Sequence, residues 1–189
     1  MEYIEELKML ANNLQNEVAN GGEKFVAISS MAGMGKTSLS LMLAGESYHL
    51  FSNEINASDV KSICSRLGIP LPKRLISGNL SNLMNAIEHL SGMNETIVVD
   101  DVGLFGPLEL FGNMLEALNK SDLKVIFTVQ KSMRMSTEQI YEERNSIFIK
   151  SLKQFVGTFS IVDLSKGADG SVNANVHRWV GGEEVKDGN

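Results

Sequence analysis

The chain has a single cysteine, Cys64, among its 189 residues, so it can form no internal disulfide. One thiol also excludes a zinc site built from several cysteines, and it is typical of a reducing compartment. Because Cys64 lies between Ile63 and Leu67 in a helical pattern, we expect a small core residue rather than a reactive thiol.

Long apolar runs are also missing. No stretch reaches the roughly 18 apolar residues that a membrane-spanning helix needs. The acidic beginning, Met1–Glu6, lacks the apolar segment of a signal peptide. No low-complexity segment or Pro/Ser-rich linker divides the chain, which has only three prolines. We therefore expect a soluble, cytoplasmic protein with no membrane partner, folded as one α/β domain behind an N-terminal helix.

Basic residues are outnumbered by acidic ones, 17 against 23, which gives a formal net charge of −6. This balance argues against a protein wrapped in nucleic acid over its whole surface, although it leaves room for a local basic patch. The apolar content of 43% is ordinary for a globular protein, and the chain is long enough to bury a core.

The chain does have a glycine-containing loop between an apolar strand and a helix. Its sequence, S-M-A-G-M-G-K-T, occupies residues 30–37, after the apolar run at 25–28 and before the helical run at 39–44. In such a P-loop the backbone N–H groups and the helix N-terminus cradle phosphates. Lys36 can reach the β- and γ-phosphates, and the hydroxyl of Thr37 can bind Mg²⁺.

We therefore predict that the chain binds ATP together with Mg²⁺. Ser30 stands where the motif has its first glycine, and a small residue there still permits a tight turn. The alternative is a chance Gly-Lys-Thr that opens an ordinary helix. The predicted binding residues are Ser30, Met31, Ala32, Gly33, Met34, Gly35, Lys36, Thr37 and Ser38.

Apolar periodicity predicts strands that alternate with helices. The expected strands are 25–29, 49–52, 96–99, 124–129, 160–164 and 175–179, with a turn at 166–170 between the last two. The expected helices are 3–19, 37–47, 57–67, 79 or 81 to 90, and 108–118, the third of them capped by Asn56. This pattern indicates a doubly wound, mostly parallel sheet.

Two acidic residues, Asp100 and Asp101, directly follow the apolar strand at 96–99. A carboxylate at the end of a buried strand beside the strand of the P-loop is where the Mg²⁺ of a nucleotide needs an anionic partner. We expect these two strands to be neighbours and Asp100, with Thr37, to hold the metal. Acids in a plain turn are the alternative.

Hydrolysis also requires a group that orients the attacking water. Glu54 is the candidate because it follows the strand at 49–52, on the same edge as Lys36 and Asp100. The alternative is a solvent-facing acid that favours the dipole of the next helix. Gln130, at the end of the strand at 124–129, is predicted to sense the γ-phosphate, or is a strand-end polar residue without such a role.

The order of elements resembles the RecA superfamily, in particular the branch of the DnaB-type replicative helicases, the RadA/Sms repair proteins and the KaiC-like ATPases. Residues 22–37 are similar to that branch's P-loop, in which another small residue often replaces the first glycine. Residues 51–55 resemble the second-strand motif whose glutamate is the catalytic base. Residues 96–100 match the Walker B strand, and residues 129–131 match the sensor strand.

Near the C-terminus, Val176–Gly182 is similar to that family's basic-aromatic-glycine segment, in which an arginine reaches the γ-phosphate in a neighbouring subunit. The resemblance implies that Arg178 is an arginine finger acting in trans and that Trp179 is a core aromatic beside it. It also implies a RecA-like ATPase domain over 21–189 behind an N-terminal amphipathic helix of residues 1–20. The expected assembly is a homo-oligomer, a ring or filament with ATP at subunit interfaces.

Two classes of function stay open, and we prefer the first. It is an ATPase that acts on DNA in recombination, repair or replication, with single-stranded DNA as a partner. The second is a nucleotide-dependent switch or assembly factor that binds a protein partner without DNA. In either class the N-terminal helix is an intramolecular lid or a linker that docks on the next subunit.

The family places DNA-binding loops in the segment of residues 131–153, which is the densest basic stretch of the chain. Charges of this kind would track a single-stranded backbone, but interspersed acids allow a solvated mixed-charge face equally well. The basic residues are Lys131, Arg134, Arg144, Lys150 and Lys153, and the acids are Glu138, Glu142 and Glu143.

Overall fold

The computed structural model describes residues 2–19, 23–105, 111–131 and 147–185. Within these ranges the strands are β1 Phe25–Ser30, β2 Tyr48–Ser52, β3 Arg74–Gly78, β4 Thr96–Asp100, β5 Lys124–Gln130, β6 Phe159–Lys166, β7 Val172–Val180 and β8 Glu183–Val185. The helices are α1 Glu2–Leu14, α2 Lys36–Ala44, α3 Ala57–Leu67, α4 Leu80–Leu90, α5 Phe111–Lys120 and α6 over 147–155. None of these helices has the length and apolar character that crossing a bilayer would take.

All of these strands join one sheet in the order β3-β2-β4-β5-β1-β6-β7-β8. The pairs from β3 to β6 are parallel, and β7 pairs antiparallel with both β6 and β8. The turn predicted at 166–170 connects β6 to β7, and Gly170 in it has a φ of +90°. The prediction of an α/β fold with a mostly parallel sheet is confirmed.

The predicted adjacency of the P-loop strand and the Asp100 strand is wrong. Strand β5 lies between them, because it pairs with β1 on one side and with β4 on the other. An apolar run shows that a strand is buried on both faces, but it carries no information on which strand lies beside it. The carboxyl ends of parallel strands still share one edge, so Asp100 stays on the side of the loop.

Three elements escaped sequence prediction. β3 and β8 are short strands near the two edges of the sheet, and both are too polar and too exposed to show alternation. Helix α6 lies in the segment that we expected to form DNA-binding loops. It is helical because Phe148 and Leu152, one turn apart, are both buried in the core.

One local prediction about a helix is confirmed, and one predicted helix end is wrong by three residues. Asn56 caps α3, since its Oδ1 accepts the Ser58 N–H at 3.0 Å. Helix α2 ends at Ala44, three residues earlier than expected, because Gly45 adopts a φ of +59° and donates its N–H to the Leu41 carbonyl. Helix α5 begins at Phe111, and the residues before it, 106–110, lie outside the described ranges.

Helices cover both faces of the sheet. On one face α4, α5 and α6 pack on Phe127, whose ring meets that of Phe148 edge-on at 5.0 Å. On the other face α1 and α2 pack on alternate residues of the same strands, including Val26 and Ile28. Helix α1 is therefore part of this chain's own core. Cys64 is buried in a smaller cluster under α3, as predicted.

Candidate phosphate-binding site

The segment between β1 and α2, residues 31–35, is called the glycine loop here. Gly33 and Gly35 have φ values of +76° and +80°, in the left-handed region that favours glycine. Gly35 is the N-cap of α2 and supplies no side-chain cap to the first turn. The N–H groups of that turn are therefore left for an anion, which the positive end of the helix dipole attracts.

Ser30 is the last residue of β1 and is fully buried. Its Oγ donates to the Met31 carbonyl at 2.9 Å, while its own carbonyl accepts the Lys131 N–H at 2.7 Å. A small polar side chain can be buried here because its hydroxyl forms a hydrogen bond to the next residue in the chain. This accounts for serine at the position where the motif has glycine.

Lys36 is buried at the start of α2, and its Nζ donates to the Met31 carbonyl at 3.0 Å. Burial lowers the pKa of Lys36, and the charges of Asp101 and Asp100 oppose that shift. The ammonium is thus held inside the glycine loop, next to the N–H groups of α2.

Asp100, at the end of β4, is the centre of a buried hydrogen-bond cluster. The Thr37 Oγ1 donates to both carboxylate oxygens at 3.0 Å, and the Thr128 Oγ1 donates to Oδ1. The His49 Nε2 lies 3.2 Å from Oδ2. Burial pushes the pKa of Asp100 up, but the bonds from His49, Thr128 and Thr37 together hold it below its usual range. The cluster therefore keeps a carboxylate charge beside the loop.

His49 and Thr128 are the members of this cluster that sequence reasoning missed. Each is a fully buried polar residue in an otherwise apolar strand, β2 or β5. A buried polar side chain needs a hydrogen-bond partner, so a polar residue within an apolar strand could have indicated that such a cluster exists. Thr128 also accepts the Asp101 N–H at 2.7 Å, which fixes the turn after β4.

Asp101 occupies a strained position directly after the cluster. Its φ of +50° is unusual for a residue other than glycine. Burial, followed by the charge of Asp100, raises the pKa of Asp101 to about 6, while Lys36 opposes the shift and Glu54 adds to it. An ionised Asp101 is therefore costly to the folded chain.

We predict that Asp101→Asn stabilises the metal-free chain at neutral pH. The carboxyl has a pKa near 3.8 when unfolded and about 6 when folded, so wild-type stability falls as the pH rises through this window. Asparagine tolerates the left-handed conformation and carries no charge. The free energy of unfolding should rise by about 1–2 kcal/mol at pH 7.5 and by almost nothing at pH 4. Urea unfolding in EDTA measures the free energy of unfolding at both pH values. An equal gain at pH 4 and pH 7.5 would contradict a raised pKa for Asp101.

A cavity of about 320 Å³ opens at this edge of the sheet and brings several predicted residues together. Lys36, Thr37 and Ser38 line it from α2, and Asp100 and Gln130 line it from the ends of β4 and β5. The rest of the described wall consists of Tyr3, Ala32, Gly33, Gly35, Ile55, Ile63, Arg66, Asp101 and Thr128.

Glu54 lies in the turn after β2 with its side chain exposed. Its backbone N–H donates to the Ser52 Oγ at 3.2 Å, and its charge acts on Asp101. Glu54 is not among the described residues that line the cavity. The structure thus places it near the site but does not join it to Lys36 and Asp100.

Arg178 lies on β7 at the other end of the sheet from the glycine loop. It pairs with Ser160, which pairs with Val26 near the start of β1, and its Nε lies 3.1 Å from the Glu23 Oε1. It is therefore distant from this chain's cavity, and its action on a neighbouring subunit stays a prediction. Trp179 is buried and stacked on the Phe159 ring at 5.0 Å, so its expected place in the core is confirmed.

The basic segment is only partly described. Arg134 and Arg144, with the acids between them, lie outside the described residues. Lys131 is ion-paired with Asp163 at 2.6 Å. Lys150 and Lys153 lie on helix α6 rather than on a loop.

The oxygen donors at this edge suit Mg²⁺. The Thr37 hydroxyl and the Asp100 carboxylate are the hard ligands that it prefers. Within the described ranges no group of three or more His, Cys, Asp and Glu side chains is placed to hold a metal ion. Phosphate oxygens and water would have to complete the coordination, as is usual for Mg²⁺ with nucleotides.

The described elements belong to the Rossmann-like class of α/β folds, with a glycine loop at the carboxyl edge of a mostly parallel sheet. Neither a scan against models of known protein families nor a search of curated proteins finds a match to the chain.

Proposed function

We propose that this chain binds ATP with Mg²⁺ and hydrolyses it. The observation that carries the proposal is the 3.0 Å hydrogen bond from Thr37, after the glycine loop, to Asp100 at the end of β4. It joins a helix N-terminus suited to phosphate with a buried carboxylate suited to a cation. The start of an ordinary helix would not require a hydrogen bond between its first turn and a buried carboxylate on another strand.

We assign roles to the start of α2 and to five side chains in or near the cavity. The N–H groups at the start of α2 bind phosphate oxygens, and Lys36 exchanges its bond with the Met31 carbonyl for the β- and γ-phosphates. Thr37 and Asp100 hold Mg²⁺, which when bound neutralises phosphate charge. Gln130 senses the γ-phosphate, and Glu54 turns inward to orient the attacking water.

We further propose that the chain is a RecA-like ATPase of the DnaB, RadA/Sms and KaiC-like branch, acting on DNA in recombination, repair or replication. Support comes from Lys36, Asp100 and Gln130, which three separate motifs contribute to one cavity. The proposed assembly is a ring or filament in the cytoplasm, with ATP at subunit interfaces and Arg178 reaching the neighbour's nucleotide. Single-stranded DNA is the proposed partner of the segment at 131–153.

A nucleotide-dependent switch that binds a protein partner is the second candidate. The exposed position of Glu54, off the wall of the cavity, favours it, because a base outside the site gives slow hydrolysis until a partner moves it. In this function ATP controls the contact with the partner, and DNA takes no part.

ATP turnover measured with and without single-stranded DNA separates the two functions. We expect DNA to stimulate turnover several-fold, and we expect Glu54→Gln to lower kcat by at least about 100-fold with ATP binding retained. Glu88→Gln, which changes an exposed acid on α4, is the matched control. A rate that does not respond to DNA would favour the switch. Full turnover in Glu54→Gln would remove Glu54 from the mechanism.

A further inference from the structure

We propose that the nucleoside half of the nucleotide binds between Tyr3 of α1 and Arg66 of α3, so that the N-terminal helix forms part of the nucleotide site. The inference rests on the proposed ATP binding and extends it, because the P-loop resemblance accounts only for the phosphates and the metal.

Helix α1 packs directly against the glycine loop. A Cβ atom added to Gly35 would lie 2.7 Å from the Tyr3 Oη and 2.9 Å from the Leu7 Cδ1. Leu7 is almost completely buried and anchors the first turns of the helix, whereas Tyr3 is 40% exposed and lines the cavity. The phenol is therefore held at the loop with part of its surface left for a ligand.

Helix α3 supplies another part of this wall. Ile63 and Arg66, three residues apart on one side of α3, both line the cavity together with Ile55. Arg66 is also close to Tyr3: burial raises the pKa of Tyr3, and the charge of Arg66 partly reverses that shift. The ring and the guanidinium thus stand near each other at the N-terminus of α2.

The chemistry of this wall differs from that of the phosphate end. Phosphates bind to backbone N–H groups and to Lys36, whereas an aromatic ring or an isoleucine side chain does not stabilise a bound phosphate. A nucleobase is planar and apolar on its faces, so it stacks on a tyrosine ring and on the plane of an arginine. Two isoleucines and one aromatic ring beside a few polar groups are typical of a small-molecule pocket.

The test compares the binding of Mg-ATP with that of inorganic tripolyphosphate and Mg²⁺ by the full chain. Tyr3→Ala and Arg66→Ala should each weaken ATP binding about tenfold and leave tripolyphosphate binding within about twofold. Tyr3→Phe keeps the ring and should keep ATP affinity. Met9→Ala on α1 and Lys61→Ala on α3 change exposed residues off the cavity wall and serve as controls.

An equal loss of ATP and tripolyphosphate affinity would overturn the inference, because the two residues would then act on the phosphates or on the loop. Tighter binding of both ligands in Tyr3→Ala would also overturn it and would make Tyr3 an obstruction. If wild type binds both ligands and no variant changes either affinity, only the nucleoside site fails. If wild type binds neither, the proposed function fails and this inference falls with it.

Discussion

Lys36→Met is expected to lower kcat/KM for ATP by about 100- to 1000-fold without unfolding the chain. The ammonium is buried against the Met31 carbonyl, and the loss of its hydration there is costly. Methionine has a similar length and no charge, so the free energy of unfolding should stay constant or rise by up to about 1 kcal/mol. ATP turnover and urea unfolding of the same preparation measure the two effects.

Lys61→Met is the matched control, since it removes a lysine from an exposed position on α3. We expect it to change neither turnover nor stability appreciably. A Lys36→Met variant that loses activity and stability in parallel would show a structural lysine. One that keeps its turnover would remove Lys36 from the site altogether.

Asp100→Asn is expected to lose mainly activity, whereas Asp100→Ala is expected to lose stability as well. Asp100 accepts bonds from Thr37, Thr128 and His49 inside the protein. Asparagine can keep this network, because hydroxyls both donate and accept and a neutral imidazole can change its tautomer. Alanine leaves the three partners without an acceptor and should lower the free energy of unfolding by about 3 kcal/mol.

The Asn variant isolates the role of the charge. It should lower Mg²⁺-dependent ATP hydrolysis by at least about 100-fold, with a weaker dependence on Mg²⁺ concentration. Titration of Mg²⁺ at fixed ATP measures this. The melting temperature of Asp100→Asn should fall, but by less than that of Asp100→Ala, because the lowered pKa of Asp100 means that the charge itself stabilises the fold. A normal Mg²⁺ response in Asp100→Asn would mean that the Asp100 carboxylate serves the fold rather than a metal.

Local features of the sequence predicted a large part of the structure. Apolar runs predicted β1, β2, β4, β5 and β6, because strands whose two faces are both buried consist mostly of apolar residues. Strand β7 was predicted as well, although its residues alternate between partly buried and exposed positions. The Asn56 cap could be identified because one side chain and a nearby N–H are enough to make it. The glycine loop was also visible locally, because the left-handed conformation at Gly33 and Gly35 favours glycine.

Features that depend on distant residues were not predictable. Strand β5 lies in the sheet between β1 and β4. This order could not be predicted, because the energy of pairing two apolar strands depends only weakly on their sequences. Edge strand β3 is too short and too exposed to leave a pattern. His49 and Thr128 stood out as polar residues in apolar strands, but only the assembled sheet shows that both bond to Asp100.

The sequence by itself determined an α/β fold, a loop with the chemistry of a phosphate site, and an acid at the end of a buried strand. These depend on residues adjacent in the chain, whose spacing fixes their relation. Only the tertiary structure decided which side chains surround Asp100, that Tyr3 of α1 lies against Gly35, and that Arg178 lies far from the loop. Such contacts join residues that are far apart in sequence. They form when the helices bury their apolar faces on the sheet, and the order of the strands in that sheet cannot be deduced from local sequence patterns.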